Sequence, residues 1–418
     1  MRKKKCFEYE VIKKLACIGF FFVAALAVWT FQAAIPDQIY VTEGSEISYD
    51  FEVPVSVVLK EEDAEVFDNL SDTVYGKEEP AYTVTCKLFG IFPVKDVEVM
   101  LVDKESVYAS GMPVGIYAKT NGVLIIGTGA VEDATGKECR PAENLVKSGD
   151  YIVSVNGDAV DEKEELVEKI NQYGGASEVL GIRRESELLE VSVDPVRGNS
   201  GNYMLGIWVR DDLAGVGTLT YYKADGSFGA LGHAVSDGDT GTMLQMSQGW
   251  IYTTDIIGIK KGESGKPGEL SGIIDYSKNC RLGTIRENTG LGIRGVLDGN
   301  LDRLERSENY EVAYKQDIKK GKAYIVSSLS GERCTYEINI QSLDYSGREA
   351  NKGILFQVTD PKLIELTGGI VQGMSGSPII QDGKIIGAVT HVFVSDSTKG
   401  YGIFIENMLD GEAIPAEK

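Results

Sequence analysis

Histidine is nearly absent: the 418 residues contain two, His233 and His391. Any mechanism that needs an imidazole base therefore has two places to find one. Cysteine is sparse. Cys6 and Cys17 lie near the N-terminus, while Cys86, Cys139, Cys280 and Cys334 are widely scattered, with no CxxC pair and no metal-type spacing. Two disulfides and four separate thiols both fit that pattern. Low-complexity segments and internal repeats are missing, so most of the chain is expected to fold. Basic residues number 42 against 63 acidic ones, a net charge of −21. A body so acidic repels phosphate backbones, and nucleic acid is not an expected partner.

Long uncharged runs are also rare, with one exception. Leu15 to Ile35 carries no charge, which is long enough to cross a bilayer as a helix. The preceding residues, 1–14, hold six basic and two acidic side chains, so the remaining body bears −25. This asymmetry predicts a cytoplasmic basic tail (1–14), a transmembrane anchor or signal segment (15–35) and an exported acidic body. Ala25-Leu26-Ala27 offers a cleavage site for the signal-peptide alternative.

The length suggests two or three domains. Residues 36–104 are read as a β-rich region, with "ISYDFEVPVSVVL" and "AYTVTCKLFGIFPVKDVEVMLV" as strands around a polar, acidic loop. In 105–195, "GVLIIG", "GDYIVSVNGDAV", the helical pattern "DEKEELVEKINQY" and "EVLGIRRESELLEVSV" follow in order. Leu166, Val167 and Ile170 form the apolar face of that helix. From 196 to 418, many short strand-like runs with frequent glycine predict a β barrel or sandwich.

The chemistry is concentrated in "GGIVQGMSGSPIIQDGKIIGAVTHVF", residues 368–393. Serine is a weak nucleophile and needs a base and oxyanion donors. Gly373 and Gly376 flank Ser375 and allow a sharp bend. The amides of Gly373 and Ser375 are the expected oxyanion hole. Ser377 is the alternative nucleophile. His233, in "GSFGALGHAVSDGDTG", is favoured as base, because His391 lies inside an apolar strand where a hydrogen-bonded structural role is commoner. Asp237 and Asp239 in the same stretch lack a full calcium-loop ligand set, so no metal is expected. Asp360, in "FQVTDPKLIEL", is a candidate orienting acid beside Asp237, Asp239, Asp255 and Asp298; it also reads as a helix N-cap before Pro361.

Two resemblances sharpen this reading. Residues 105–195 resemble a PDZ domain, most specifically in "GDYIVSVNG" before an acidic helix. That likeness implies a groove for a peptide ligand, with "GMPVGIYA" as the loop cradling its carboxylate through Val114, Gly115 and Ile116. Gly373-Met374-Ser375-Gly376-Ser377-Pro378 is similar to the serine motif of chymotrypsin-like proteases. Together with "GALGHAVSD" and "LFGIFPVKDVEV", the chain resembles the SpoIVB peptidases of endospore-forming bacteria. The resemblance implies a mainly β protein with a C-terminal trypsin-like barrel-type peptidase domain (196–418) and a His233, Asp360, Ser375 triad. It implies a sporulation serine endopeptidase that needs no cofactor, is exported from the forespore, and remains anchored or is released between the forespore membranes. Its partners would be a membrane-held regulator of an intramembrane protease as substrate, the membrane, and a PDZ ligand such as its own N-terminal segment. Cutting the regulator would trigger processing of a late sigma factor, and the enzyme would also cut itself. A non-catalytic PDZ adaptor and a general envelope quality-control protease are the alternatives.

Overall fold

β-Branched runs broken by glycine turns give strands almost throughout, and the longest of them close on themselves. The computed structural model describes residues 2–42, 47–48, 54–59, 73–74, 81–263, 265–299, 304 and 307–409. Most of the acidic loop expected between the first strands lies outside the described residues.

One barrel forms from Pro113–Thr128, Ile207–Tyr222, Ser227–Ala230, Gly292–Leu297, Arg281–Thr289 and Met246–Lys260. They pair in that order, the last returns to the first, and every pairing is antiparallel. A second barrel forms likewise from Gly321–Ser327, Cys334–Leu343, Ile354–Val358, Asp396–Phe404, Lys384–Phe393 and Pro378–Gln381. Closure leaves neither sheet with an open edge. Each barrel encloses its own core. Val114, Leu219, Phe228, Ile251 and Ile293 fill the first, and Ile325, Ile338, Phe356, Val389 and Phe404 fill the second. Each such side chain contributes roughly 1.5–3 kcal/mol on burial.

The first barrel corrects the expected boundary at 195. Residues 113–118 pair with 213–218 on one side and 249–253 on the other. They belong to the barrel, not to a separate peptide-binding unit. The strand runs on through Gly122, where φ is +82° and a Cβ would meet the Ile152 carbonyl at 2.9 Å. Past Gly122 it also joins a smaller unit with Tyr151–Val155, Glu178–Arg184 and Glu187–Val193. Helix Lys163–Tyr173 packs on that sheet through Leu166 and Ile170, one turn apart, and ends at Gly174 in a left-handed cap. Val167 points outward instead.

The N-terminal region forms a four-stranded sheet in the order Gln38–Thr42, Phe92–Val102, Ala81–Leu88, Val55–Leu59. Helix Arg2–Ala33 precedes it, and its Lys13–Ala33 stretch is long and apolar enough to cross a membrane. Cys17, Cys86, Cys139, Cys280 and Cys334 are all free thiols.

Candidate active site

Ser375 lies between Val371–Gln372 and Pro378–Gln381 on a loop of the second barrel that leans on the first. Thr218 of the first barrel donates its amide to the Ser375 carbonyl (3.0 Å) and its hydroxyl to the Gly373 carbonyl (2.8 Å). Glycine is required at 376: φ is +96°, and a Cβ would sit 2.1 Å from the Thr218 carbonyl oxygen. Within this loop the amides of Met374, Gly376 and Ser377 bond the carbonyls of Val371, Val389 and Met374. The amides of Gly373 and Ser375 have no partner among the described residues. Ser375 Oγ donates to the Thr390 carbonyl at 2.9 Å. Ser377 is fully buried, which removes it as a nucleophile.

His233 follows strand Ser227–Ala230 of the first barrel. Its loop is pinned by Asn288, whose side chain accepts from the Val235 amide and donates to the Val235 and Leu244 carbonyls. Leu231, two residues before it, holds φ at +70°, a strain that non-glycine residues tolerate where the surroundings enforce it. The His233 Nδ1 lies 2.8 Å from the Ala234 carbonyl. A carbonyl can only accept, so Nδ1 carries the proton and Nε2 is left with its lone pair. Burial pushes the His233 pKa below the usual imidazole value, and the Ala234 hydrogen bond opposes this in part.

His233 and Ser375 line one cavity of about 450 Å³ where the barrels meet. Its walls are otherwise mainly apolar, including Ile116, Val216, Leu231, Ile370 and Val371. His391 lines it too, with its ring centroid 5.4 Å from that of His233. The hydrogen bond expected of His391 as a strand residue is not made at Nδ1, which is buried and has no hydrogen-bond partner among the described residues. Burial, then the charges of His233 and Lys352, push its pKa down to about 4.

Asp360 is not brought to this cavity. It caps helix Pro361–Thr367, accepting from the amides of Lys362 (2.8 Å) and Leu363 (3.3 Å), and also from Glu337 (3.2 Å). Its carboxylate is occupied by backbone, as the N-cap reading of "DPKLIEL" requires. Asp237 and Asp239 both pair with Arg210, and Asp298 pairs with Arg281. None of these, nor Asp255, lines the cavity. Val114, Gly115 and Ile116 sit mid-strand with both edges paired, so they form no carboxylate loop. Ile116 instead walls the cavity beside His233.

The profile of the SpoIVB peptidase S55 family matches residues 201–409, half of the chain. The chain belongs to this family. It is a serine peptidase of the SpoIVB sporulation type. No match is found among curated proteins. The S55 segment takes in the whole second barrel and both cavity histidines. It omits Pro113–Thr128, without which the first barrel does not close.

Proposed function

We propose that this S55 peptidase is a serine endopeptidase in which His233 activates Ser375. The observation carrying this reading is that the two side chains come from different barrels and meet in one cavity, as in trypsin-like enzymes. In the resting state the Ser375 hydroxyl is held by the Thr390 carbonyl. A bound peptide turns it toward His233 Nε2, which takes the proton as Oγ attacks the scissile carbonyl. The unpaired amides of Gly373 and Ser375 receive the developing oxyanion. His233 then returns the proton to the leaving amine, and water releases the acyl group by the same route. The Ala234 carbonyl does the orienting expected of a triad acid. The apolar walls favour a substrate with an apolar side chain beside the cut bond.

The physiological substrate in this reading is a membrane-held regulator whose cleavage releases an intramembrane protease, and the enzyme also cuts itself. Helix Arg2–Ala33 anchors it, with the acidic body outside the forespore cytoplasm. The unit formed by residues 123–193 acts as the peptide-recognition module. Its groove of about 370 Å³, between helix Lys163–Tyr173 and residues 203–209, is walled by Leu166, Ile170, Tyr203 and Trp208.

A serine-directed fluorophosphonate should label Ser375 in the folded protein, and mass spectrometry of self-cleavage products should find cuts absent from Ser375→Ala. Unlabelled Ser375 with unchanged self-cleavage in the variant would remove it from the chemistry.

A further inference from the structure

The motif "LFGIFPVKDVEV" takes no part in the chemistry above. It forms the turn joining strands Ala81–Leu88 and Phe92–Val102. The Ile91 amide bonds the Leu88 carbonyl at 3.2 Å, with φ of +52° at Phe89 and +73° at Gly90. Residues 88–91 form a β-turn with positive φ at both central positions, inside a three-residue hairpin loop, and such a turn favours Asn-Gly. Here an aromatic residue takes the position where asparagine is preferred, at a cost in backbone strain. The result is also exposed: Phe89, Ile91 and Phe92 are 68%, 71% and 63% accessible. A contiguous apolar tip of this kind marks an interaction surface.

Its surroundings identify the occupant. Gln38–Thr42 runs parallel to 98–102 of the same hairpin. Going back along the chain from Gln38 to Gln32, the hairpin partner moves from Glu98 to Val94, toward the tip. Gln32 Nε2 donates to the Val94 carbonyl (2.8 Å), and Lys95 Nζ donates to the carbonyls of Ile35 (2.5 Å) and Gln32 (3.2 Å). The apolar helix therefore leaves the sheet at its tip end, two residues from Phe92. Leu15, Ile18, Phe20, Phe22 and Leu26 on that helix are exposed as well. From Val94 to Ile91 a strand extends about 10 Å, which matches the depth of an interfacial insertion of about 5–10 Å.

We propose that the hairpin tip Phe89–Phe92 dips into the interface of the same bilayer that receives helix Lys13–Ala33, as a second foot beside the anchor. This rests on the anchored reading above. Insertion is apolar rather than electrostatic: Lys95 is already paired with Asp37, and the acidic body gains nothing from anionic lipid. A second foot fixes the height and tilt of the ectodomain above the membrane, which one helix alone leaves free.

The test uses the full chain with Ser375→Ala, to prevent self-cleavage, in phosphatidylcholine nanodiscs with ordinary or brominated acyl chains. Ile91→Trp puts a reporter indole at the tip and, separately, Phe22→Trp puts one on the exposed face of the helix, each read by difference from the same parent, because the native Trp29 ring lies under the Arg348 guanidinium of the body. Brominated lipid should quench the tip indole to a degree comparable with the helix indole. Adding Phe89→Asn, which suits the turn, should reduce quenching at the tip, and added to Phe22→Trp it should leave the helix indole quenched. A quenched helix indole with an unquenched tip overturns the second foot and leaves the anchor standing. A blue-shifted tip indole that bromine does not quench places the tip against protein and also overturns it. If neither is quenched, the anchored reading falls with it.

Discussion

The two barrels share a strand count and a closure pattern, but they are assembled differently. The second is one continuous stretch, 321–404. The first reaches across the chain: its strand Pro113–Thr128 is separated from Ile207–Tyr222 by the unit carrying helix Lys163–Tyr173. Its first strand also serves two sheets, one on either side of Gly122. Ser375 thus rests on a barrel continuous in sequence, while His233 rests on one whose strands Pro113–Thr128 and Ile207–Tyr222 both run on into a neighbouring unit. Disturbing that unit should reach the base before it reaches the nucleophile.

The sharpest way to break this comparison is to delete each barrel's contribution. Ser375→Ala and His233→Ala should each lower kcat/KM by about 10³–10⁶ on a peptide substrate, with unchanged thermal unfolding, following measured losses for such groups. Unequal losses would mean that one barrel supplies the chemistry alone. The depressed His233 pKa gives a further mark. The neutral imidazole is the active form, so the acid limb of kcat/KM against pH should fall below the ordinary histidine value of 6.5.

A smaller effect comes from the contact between barrels. Gly376→Ala drives a Cβ into the Thr218 carbonyl, and a shift of about 1 Å at the nucleophile costs about 10²-fold in rate. Gly258→Ala, where a Cβ would meet nothing closer than 3.9 Å, should leave turnover unchanged. Equal activity of the two variants in a peptide assay would show that the serine loop does not depend on the first barrel.

Stability against pH should separate the regions by sign. Glu178, in the unit beside the first barrel, is fully buried, and neither carboxylate oxygen bonds a described residue. Burial pushes its pKa from 4.5 up to about 7. Its folded pKa is raised, so its contribution is complete below about pH 4.5 and lost as pH rises through about 7. His391, in the second barrel, has a depressed pKa. Its contribution is complete above pH 6.5 and lost as pH falls toward about 4. Glu178→Gln should flatten the loss of melting temperature as pH rises from about 4.5 to about 7, and His391→Gln the loss as pH falls from 6.5 toward about 4. Flattening on the same side would refute the assignment.

The smallest effect is expected at Asp360. Asparagine keeps the cap on the Lys362 and Leu363 amides but gives up the Glu337 amide, so Asp360→Asn should keep activity and cost less stability than Asp360→Ala, which should lose about 1 kcal/mol. A fall in kcat of about 10⁴ for Asp360→Asn, the size seen for a triad acid, would show that the carboxylate reaches His233 during turnover.

These residues also show what a sequence can carry. The serine loop was legible because its demands are local: a bend on each side of Ser375 and a hairpin after it. The helix at 163–173 was legible from apolar spacing and its acidic first turn. The strand 113–118 was misplaced because its partners lie about a hundred residues downstream, and no local pattern tells a paired strand from a loop. Asp360 was ambiguous for the same reason. Its spacing from Ser375 fits a triad, and its neighbour Pro361 fits a cap; only the three amides around it decide. His391 was undervalued because a strand's alternation does not say which side faces a cavity.

The split of the reacting pair between barrels bears on how the enzyme is made. Ser375 emerges long after His233, on a domain that must fold and dock against the Thr218 amide and hydroxyl before any hydroxyl meets an imidazole. In the proposed mechanism, a chain whose second barrel has not yet formed holds no competent centre, so the order of synthesis keeps the protease silent until that barrel is built.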